Sequence, residues 1–282
     1  MAINSTSLYA SALSAMKSST NSIEKSAQKL SSGLRINSAA DDASGLAISD
    51  KMGAHIVSLK QAKDNAQDAI SFLQTADGAL KQSTDIIQRM RELVVKAQNT
   101  GTLSEQENSA ISSELSSLKE ELDRIASTTT FNTKHILDGT YENKPATFQI
   151  GATTNSSDTI SVFISDMSSK GLAGDGQTEL SIDISNSEAM QKTLEGLDFA
   201  LEKINKQRTN LGATENRLDY TIRNLETTAT NLEASKSRIK DVDIAAEMVN
   251  FTKQKMINQV AISMLSQANS QSRNVLSLLN GL

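Results

Sequence analysis

The sequence predicts a mainly α fold in which long antiparallel helical coiled-coil rods carry a small β-hairpin element. Three observations point there. Leu197, Ile204, Leu211, Leu218, Leu225, Leu232 and Ile239 recur every seventh residue with no polar member among them. Leu59, Ala66, Leu73, Leu80, Ile87 and Val94 repeat in the same way earlier in the chain. Aromatic residues make up only 3% of the chain, Trp is absent and Pro occurs once, which leaves little bulk for a broad globular core. Apolar residues at alternating three- and four-residue spacing form one stripe on a helix, and a period of seven keeps that stripe against a partner helix.

Taken in order, residues 1–4 read as an extended lead, and a helix is expected from Ser5. Tyr9, Met16, Ile23 and Leu30 form one heptad line, and Leu13, Thr20, Ala27 and Leu34 a second. The Ser, Thr, Lys and Asn residues between them are assigned to the opposite face. Residues 31–49 carry turn and cap chemistry in Gly33, Asn37, Asp41, Asp42 and Gly45. Adjacent carboxylates point to different sides of any regular element, so Asp42 reads as a helix N-cap rather than half of a metal or acid pair.

A helix over 43–98 follows, with Ala62, Ala69, Ala76, Ser83, Met90 and Ala97 as a small-residue line beside the large one. At 1.5 Å per residue it spans about 80 Å, a match for the run of about 70 Å over 190–239. That later helix has a second line in Leu194, Leu201, Ile222 and Ala229, broken by Arg208, Glu215 and Lys236. Gly101 is expected to stop the earlier helix, and Ser104 with Glu107 gives the capping-box pattern for a third one that folds back.

Residues 128–187 change to Thr, Ser, Asn and Gly. Alternation predicts strands at 147–150 and 159–164, joined by a turn over 152–157, with a third short strand at 180–184. The stretch 171–176, GLAGDG, reads as a loop. After a turn near residues 240–243, residues from Val242 to Leu282 read as a last amphipathic helix with no charge between Lys255 and Arg273. Its apolar face needs cover from the first helix, from other copies or from a carrier.

Chemistry is sparse. With no Cys there are no disulfides, thiolate sites or cysteine nucleophiles. His55 and His135, the two histidines, form no metal-binding pattern, and phosphate-loop and nucleophile-elbow motifs are missing. No catalytic residue, metal site or cofactor is expected, and the chain does not read as an enzyme. A net charge of -5 argues against nucleic acid, and no apolar run has membrane length. The first twenty residues lack the pattern of a cleavable signal peptide, so export is expected by another route.

The opening stretch MAINSTSLYASALSAMKSSTNSIEKSAQKLSSGLRINSAADDASGLAIS resembles the N-terminal region of bacterial flagellin. QRMRELVVKAQNTGT, TTTFNTKHILDG and the closing IKDVDIAAEMVNFTKQKMINQVAISMLSQANSQSRNVLSLL resemble the same family. The chain is similar to a short form with little or no outer domain. The resemblance implies a terminal coiled-coil domain of residues 1–43 and 240–282, and a three-long-helix domain of 44–239 with its β region at about 131–187. It implies a structural subunit that polymerises into the extracellular flagellar filament for motility. It also implies type III export, a secretion chaperone on the C-terminal helix, and contacts with hook-associated and cap proteins. Tyr9, Met16, Ile23, Leu30, Met256, Val260, Met264, Val275 and Leu279 are the candidate subunit and chaperone interface. Arg89, Leu93 and Glu114 match the motif through which host Toll-like receptor 5 reads some members of the family. Residues 153–187 offer a Ser/Thr-rich surface for O-glycans. A hook–filament junction adaptor of related fold is the alternative function. A membrane-active effector would need an apolar segment that the sequence lacks.

Overall fold

The structure is a computed structural model that describes residues 2–99, 104–153, 155–173 and 179–279. It is mainly α. The helices are α1 (Ala2–Ser32), α2 (Ala43–Ala97), α3 (Glu105–Thr128), α4 (Thr140–Asn143), α5 (Ser187–Lys240) and α6 (Ile244–Leu279). The strands are β1 (Thr130–Phe131), β2 (Lys134–His135), β3 (Ala146–Gln149) and β4 (Thr159–Val162). Two compact units result, one of residues 1–56 with 230–282 and one of 57–229.

The 57–229 unit is built on α2 and α5. Both α2 lines are buried from Leu59 and Ala62 to Val94 and Ala97, and Leu197, Ile204, Leu211 and Leu218 oppose them in one core. The pairing is antiparallel. Lys63 meets Glu226 at 2.6 Å, Asp77 meets Arg208 at 2.8 Å, and Arg91 meets Asp198 at 2.8 Å, so one helix number rises as the other falls. Gln74 also donates to Glu215 at 2.8 Å. Two of the polar residues that break the second α5 line, Arg208 and Glu215, therefore reach across to α2.

Helix α3 adds Ile111, Leu115, Leu122 and Ala126 to the core. It starts at the expected box: Ser104 Oγ accepts from Glu107 N–H, and the Glu107 carboxylate accepts from Ser104 N–H at 2.8 Å. The expected stop at Gly101 lies outside the described residues.

Two separate hairpins form in the β region. Strands β3 and β4 pair antiparallel, with Phe148 opposite Ile160. Strands β1 and β2 pair across Asn132 and Thr133, both at positive φ (47° and 66°), as a tight primed turn demands. Phe72 of α2 anchors both hairpins, with Phe131, Tyr141 and Phe148 edge-on at 5.7, 5.8 and 5.5 Å. The strand expected at 180–184 is absent. Its residues instead run as irregular chain, with Leu180 buried and the Asp183 N–H donated to the Thr193 hydroxyl at 3.1 Å. Residues 174–176 of the glycine-rich loop lie outside the described residues.

In the other unit, α1 and α6 pack antiparallel. Ser26 donates to Glu247, and ten residues further back Met16 stands beside Asn258. The buried centre is Ala12, Ser19 and Ser26 on α1 with Ala261 and Ala268 on α6. This corrects the expected seam. Met16, Ile23 and Leu30 are only half-buried, and Thr20 and Ala27 are exposed. Facing Cα atoms of the two helices lie within 8 Å along the pair, and small side chains fill the seam between them. Asn258 fixes the register, donating to Ser19 Oγ and Thr20 Oγ1, each at 2.9 Å. The expected extended lead is also corrected, since α1 already begins at Ala2.

The ends of α1 and α5 are stitched together. Gly33, at φ 71°, ends α1 and its carbonyl accepts from Val242 N–H at 3.0 Å. Arg35 N–H donates to the Lys240 carbonyl at 2.7 Å, and the Arg35 guanidinium donates to the Ile239 carbonyl at 2.7 Å. Asp42 caps α2 by accepting the Gly45 N–H at 2.9 Å. A Cβ on Gly45 would run into the Asp42 carboxylate and the Ile36 side chain, so a larger residue there would push the cap aside.

Three outcomes follow. Leu197→Ala removes a fully buried side chain facing α2 and is expected to lower unfolding free energy by about 2–5 kcal/mol in urea titrations. Asn258→Ala is expected to weaken the α1·α6 pair by about 1 kcal/mol, read as faster amide exchange in both helices. The Asp42 carboxyl is held below the ordinary value of 3.8, first by the Gly45 N–H and then by the Ser44 hydroxyl. A depressed carboxylate stabilises the fold above its unfolded value and loses that contribution as pH falls through the folded one. Asp42→Asn, which still caps, should therefore flatten acid unfolding below about pH 4 with little effect at neutral pH.

Candidate assembly surface

Helix α6 has two faces. Asn258, Ala261 and Ala268 turn to α1. Val249, Met256, Val260 and Met264 lie at spacings of seven, four and four, which place them along one stripe turned away from α1. They stand 68%, 60%, 58% and 50% exposed. Ile257 lies beside this stripe, and Met248 and Ile262 are exposed on the other flank of the helix. The α6 stripe is thus largely apolar and exposed, with Lys253 falling between Val249 and Met256. On α1, Tyr9 is exposed, and Met16, Ile23 and Leu30 show one edge. The side chains of Val275 and Leu279 lie outside the described residues.

The sequence-predicted trio Arg89, Leu93 and Glu114 divides. Arg89 on α2 and Glu114 on α3 form an exposed ion pair, with the guanidinium donating to Glu114 at 2.9 and 3.1 Å and to Glu92 at 3.3 Å. Contact first with Glu114 and then with Glu92 raises the Arg89 pKa. Leu93 is 3% exposed and belongs to the core between these helices, so it supports the patch from beneath instead of presenting itself on the surface.

The acidic residues near α3 are engaged in structure. Asp123 accepts the Ser169 N–H at 2.7 Å and its hydroxyl at 2.9 Å, pinning the irregular segment to α3. Lys119 and Glu179 add an ion pair at 2.8 Å beside it. Among the described residues no group of three His, Asp or Glu is placed to hold a metal ion, and no helix is long and apolar enough to cross a membrane.

Sequence reasoning missed Ser19, Ser26, Glu247 and Asn258 as the residues that join the terminal helices. The signal was present as the heptad spacing of Ala12, Ser19 and Ser26, hidden because serine reads as a solvent-facing residue.

Comparison with known proteins agrees with this architecture. Residues 3–142 match the bacterial flagellin N-terminal helical region, and residues 194–279 match the bacterial flagellin C-terminal helical region. A flagellin of Bacillus subtilis (strain 168) is 42% identical over 99% of this chain and 100% of its own length. The flagellar filament 33 kDa core protein of Treponema phagedenis is 42% identical over 92% of each chain. Among solved structures, Bacillus cereus flagellin is 32% identical, with a TM-score of 0.49 over 61% of this chain and 94% of that one. The two matched regions leave only residues 143–193 between them, where the hairpin β3–β4 and the irregular segment lie. From its terminal helices to the long pair α2 and α5, this chain belongs to the bacterial flagellin family.

Proposed function

We propose that this flagellin, a structural subunit of the flagellar filament, joins its copies through the surface formed by α1 and α6. The observation that carries the reading is where the exposed large apolar side chains lie. Most of those on the described surface belong to α6, and Tyr9 of α1 adds to them. A buried stripe of this kind stabilises by about 25 cal/mol for each Å² removed from water. Its partner surface on another copy is a different patch, so the contact is head-to-tail and repeats into an open polymer.

The same stripe suits a secretion chaperone before export, because a carrier can cover Met256, Val260 and Met264 until copies replace it. Hook-associated and cap proteins would meet the polymer at its two ends through the same faces. The polymer's place is outside the cell. Arg89 and Glu114 form the exposed part of the Toll-like receptor 5 reading, with Leu93 acting through their positions.

The hook–filament adaptor reading receives less support. Its resemblance is the fold shared with a flagellar hook-associated protein of Vibrio parahaemolyticus, 13% identical with a TM-score of 0.60 over 71% of this chain. The relatives described as flagellins and filament core proteins match at about three times that identity.

Val260→Asp tests the proposal. Val260 is exposed in the free chain, so circular dichroism and thermal unfolding should be unchanged. Burying the new carboxylate between copies carries a large desolvation cost, and seeded elongation followed by light scattering should fall by roughly tenfold or more. Elongation at the parent rate would remove α6 from the assembly surface.

A further inference from the structure

The nine methionines of the chain divide sharply by surroundings. Met90, Met167 and Met190 lie in the core of the 57–229 unit at 0%, 1% and 3% exposure. Met16 and Met52 are half-buried. Among the described residues the three exposed ones, Met248, Met256 and Met264, all belong to α6, and two of them sit within its apolar stripe. Valine, leucine or isoleucine would serve burial there equally well. Methionine adds a thioether that oxidants reach, and among the described residues it is most open to them on α6.

We infer that Met248, Met256 and Met264 form an oxidation-sensitive modification site, at which a peroxide acting on the free subunit closes α6 to assembly. The inference rests on the reading of α6 as the assembly surface. The step is two-electron oxygen transfer. A thioether lone pair attacks one peroxide oxygen, the S–O bond forms and the O–O bond breaks. The sulfur is oxidised to a sulfoxide, the peroxide is reduced, and the departing hydroxide takes a proton to become water. The product is a strong, polar acceptor in place of an adaptable apolar group. Between Met256 and Met264 the helix offers a sulfoxide no charged partner, since it carries no charged residue between Lys255 and Arg273. A sulfoxide buried there against a second copy loses hydration that the thioether never had. The 57–229 unit is spared, because Met90, Met167 and Met190 are sealed in its core.

The test uses the full chain, treated with hydrogen peroxide to partial conversion, freed of peroxide and then seeded. Pelleted filaments and supernatant are separated, and sulfoxide is located by peptide mass spectrometry in each. Sulfoxide should appear at Met248, Met256 and Met264 before Met90, Met167 and Met190. At positions 256 and 264 it should be roughly fivefold or more enriched in the unassembled fraction. The Met248→Leu/Met256→Leu/Met264→Leu variant should elongate after the same treatment. Equal sulfoxide in filaments and supernatant overturns the inference, and needs no variant to read. If Val260→Asp elongates normally, the assembly reading itself fails. If Val260→Asp is blocked while sulfoxide-bearing chains enter filaments freely, the oxidation inference alone fails.

Discussion

Everything in the 57–229 unit depends on two apolar lines that cannot stay in water. Helices α2 and α5 each present a stripe through six or more heptads, and each is too long to be covered by a short neighbour. Their mutual burial, Leu73 to Val94 against Leu197 to Leu218, fixes the antiparallel direction. Polar pairs then set the register. Arg208 with Asp77 and Glu215 with Gln74 fall where the second apolar line of α5 is interrupted. Smaller elements attach to this frame. Phe72 gathers both hairpins onto α2, and Asp123 ties the irregular segment before α5 to α3.

The terminal unit follows a different logic. Its centre is alanine and serine, so little apolar area is buried and specificity comes from close approach and hydrogen bonds. Asn258 and Glu247 supply the bonds, and the backbone stitch between Gly33, Arg35, Lys240 and Val242 aligns the helix ends. The larger apolar residues are spent outward. Two kinds of residue are thereby separated on one helix: small ones hold α6 to α1, and large ones such as Met256 and Val260 stay exposed.

Much of this was legible in the sequence, and the parts that were not share a cause. Heptad lines, the Asp42 cap and the Ser104–Glu107 box were readable because each is a local pattern with one physical meaning. The β3–β4 hairpin was readable from alternation. The β1–β2 hairpin was not, because its turn is Asn132-Thr133 and lacks the glycine that marks positive φ. The stretch 180–184 alternates like a strand but finds no strand to pair with, and Thr193 takes its free N–H instead. On α1 the true seam was missed since burial of Ser19 and Ser26 depends on what α6 offers, which no window of α1 contains. Leu93 looked like part of a surface motif, yet its heptad neighbour Val94 and the facing α3 draw it inward.

The pairing of α1 with α6 also has a kinetic side. Ser19 and Asn258 are separated by 239 positions, and the contact between them closes a loop of nearly the whole chain. Closure of so long a loop carries an entropic cost that local helix formation does not, and contacts of high sequence separation slow folding. With only small side chains to reward it, this pair gains least from forming early. The terminal helices should therefore dock last when the chain refolds and part first when it opens. A subunit would thus complete its own fold and its readiness to join others in the same late event.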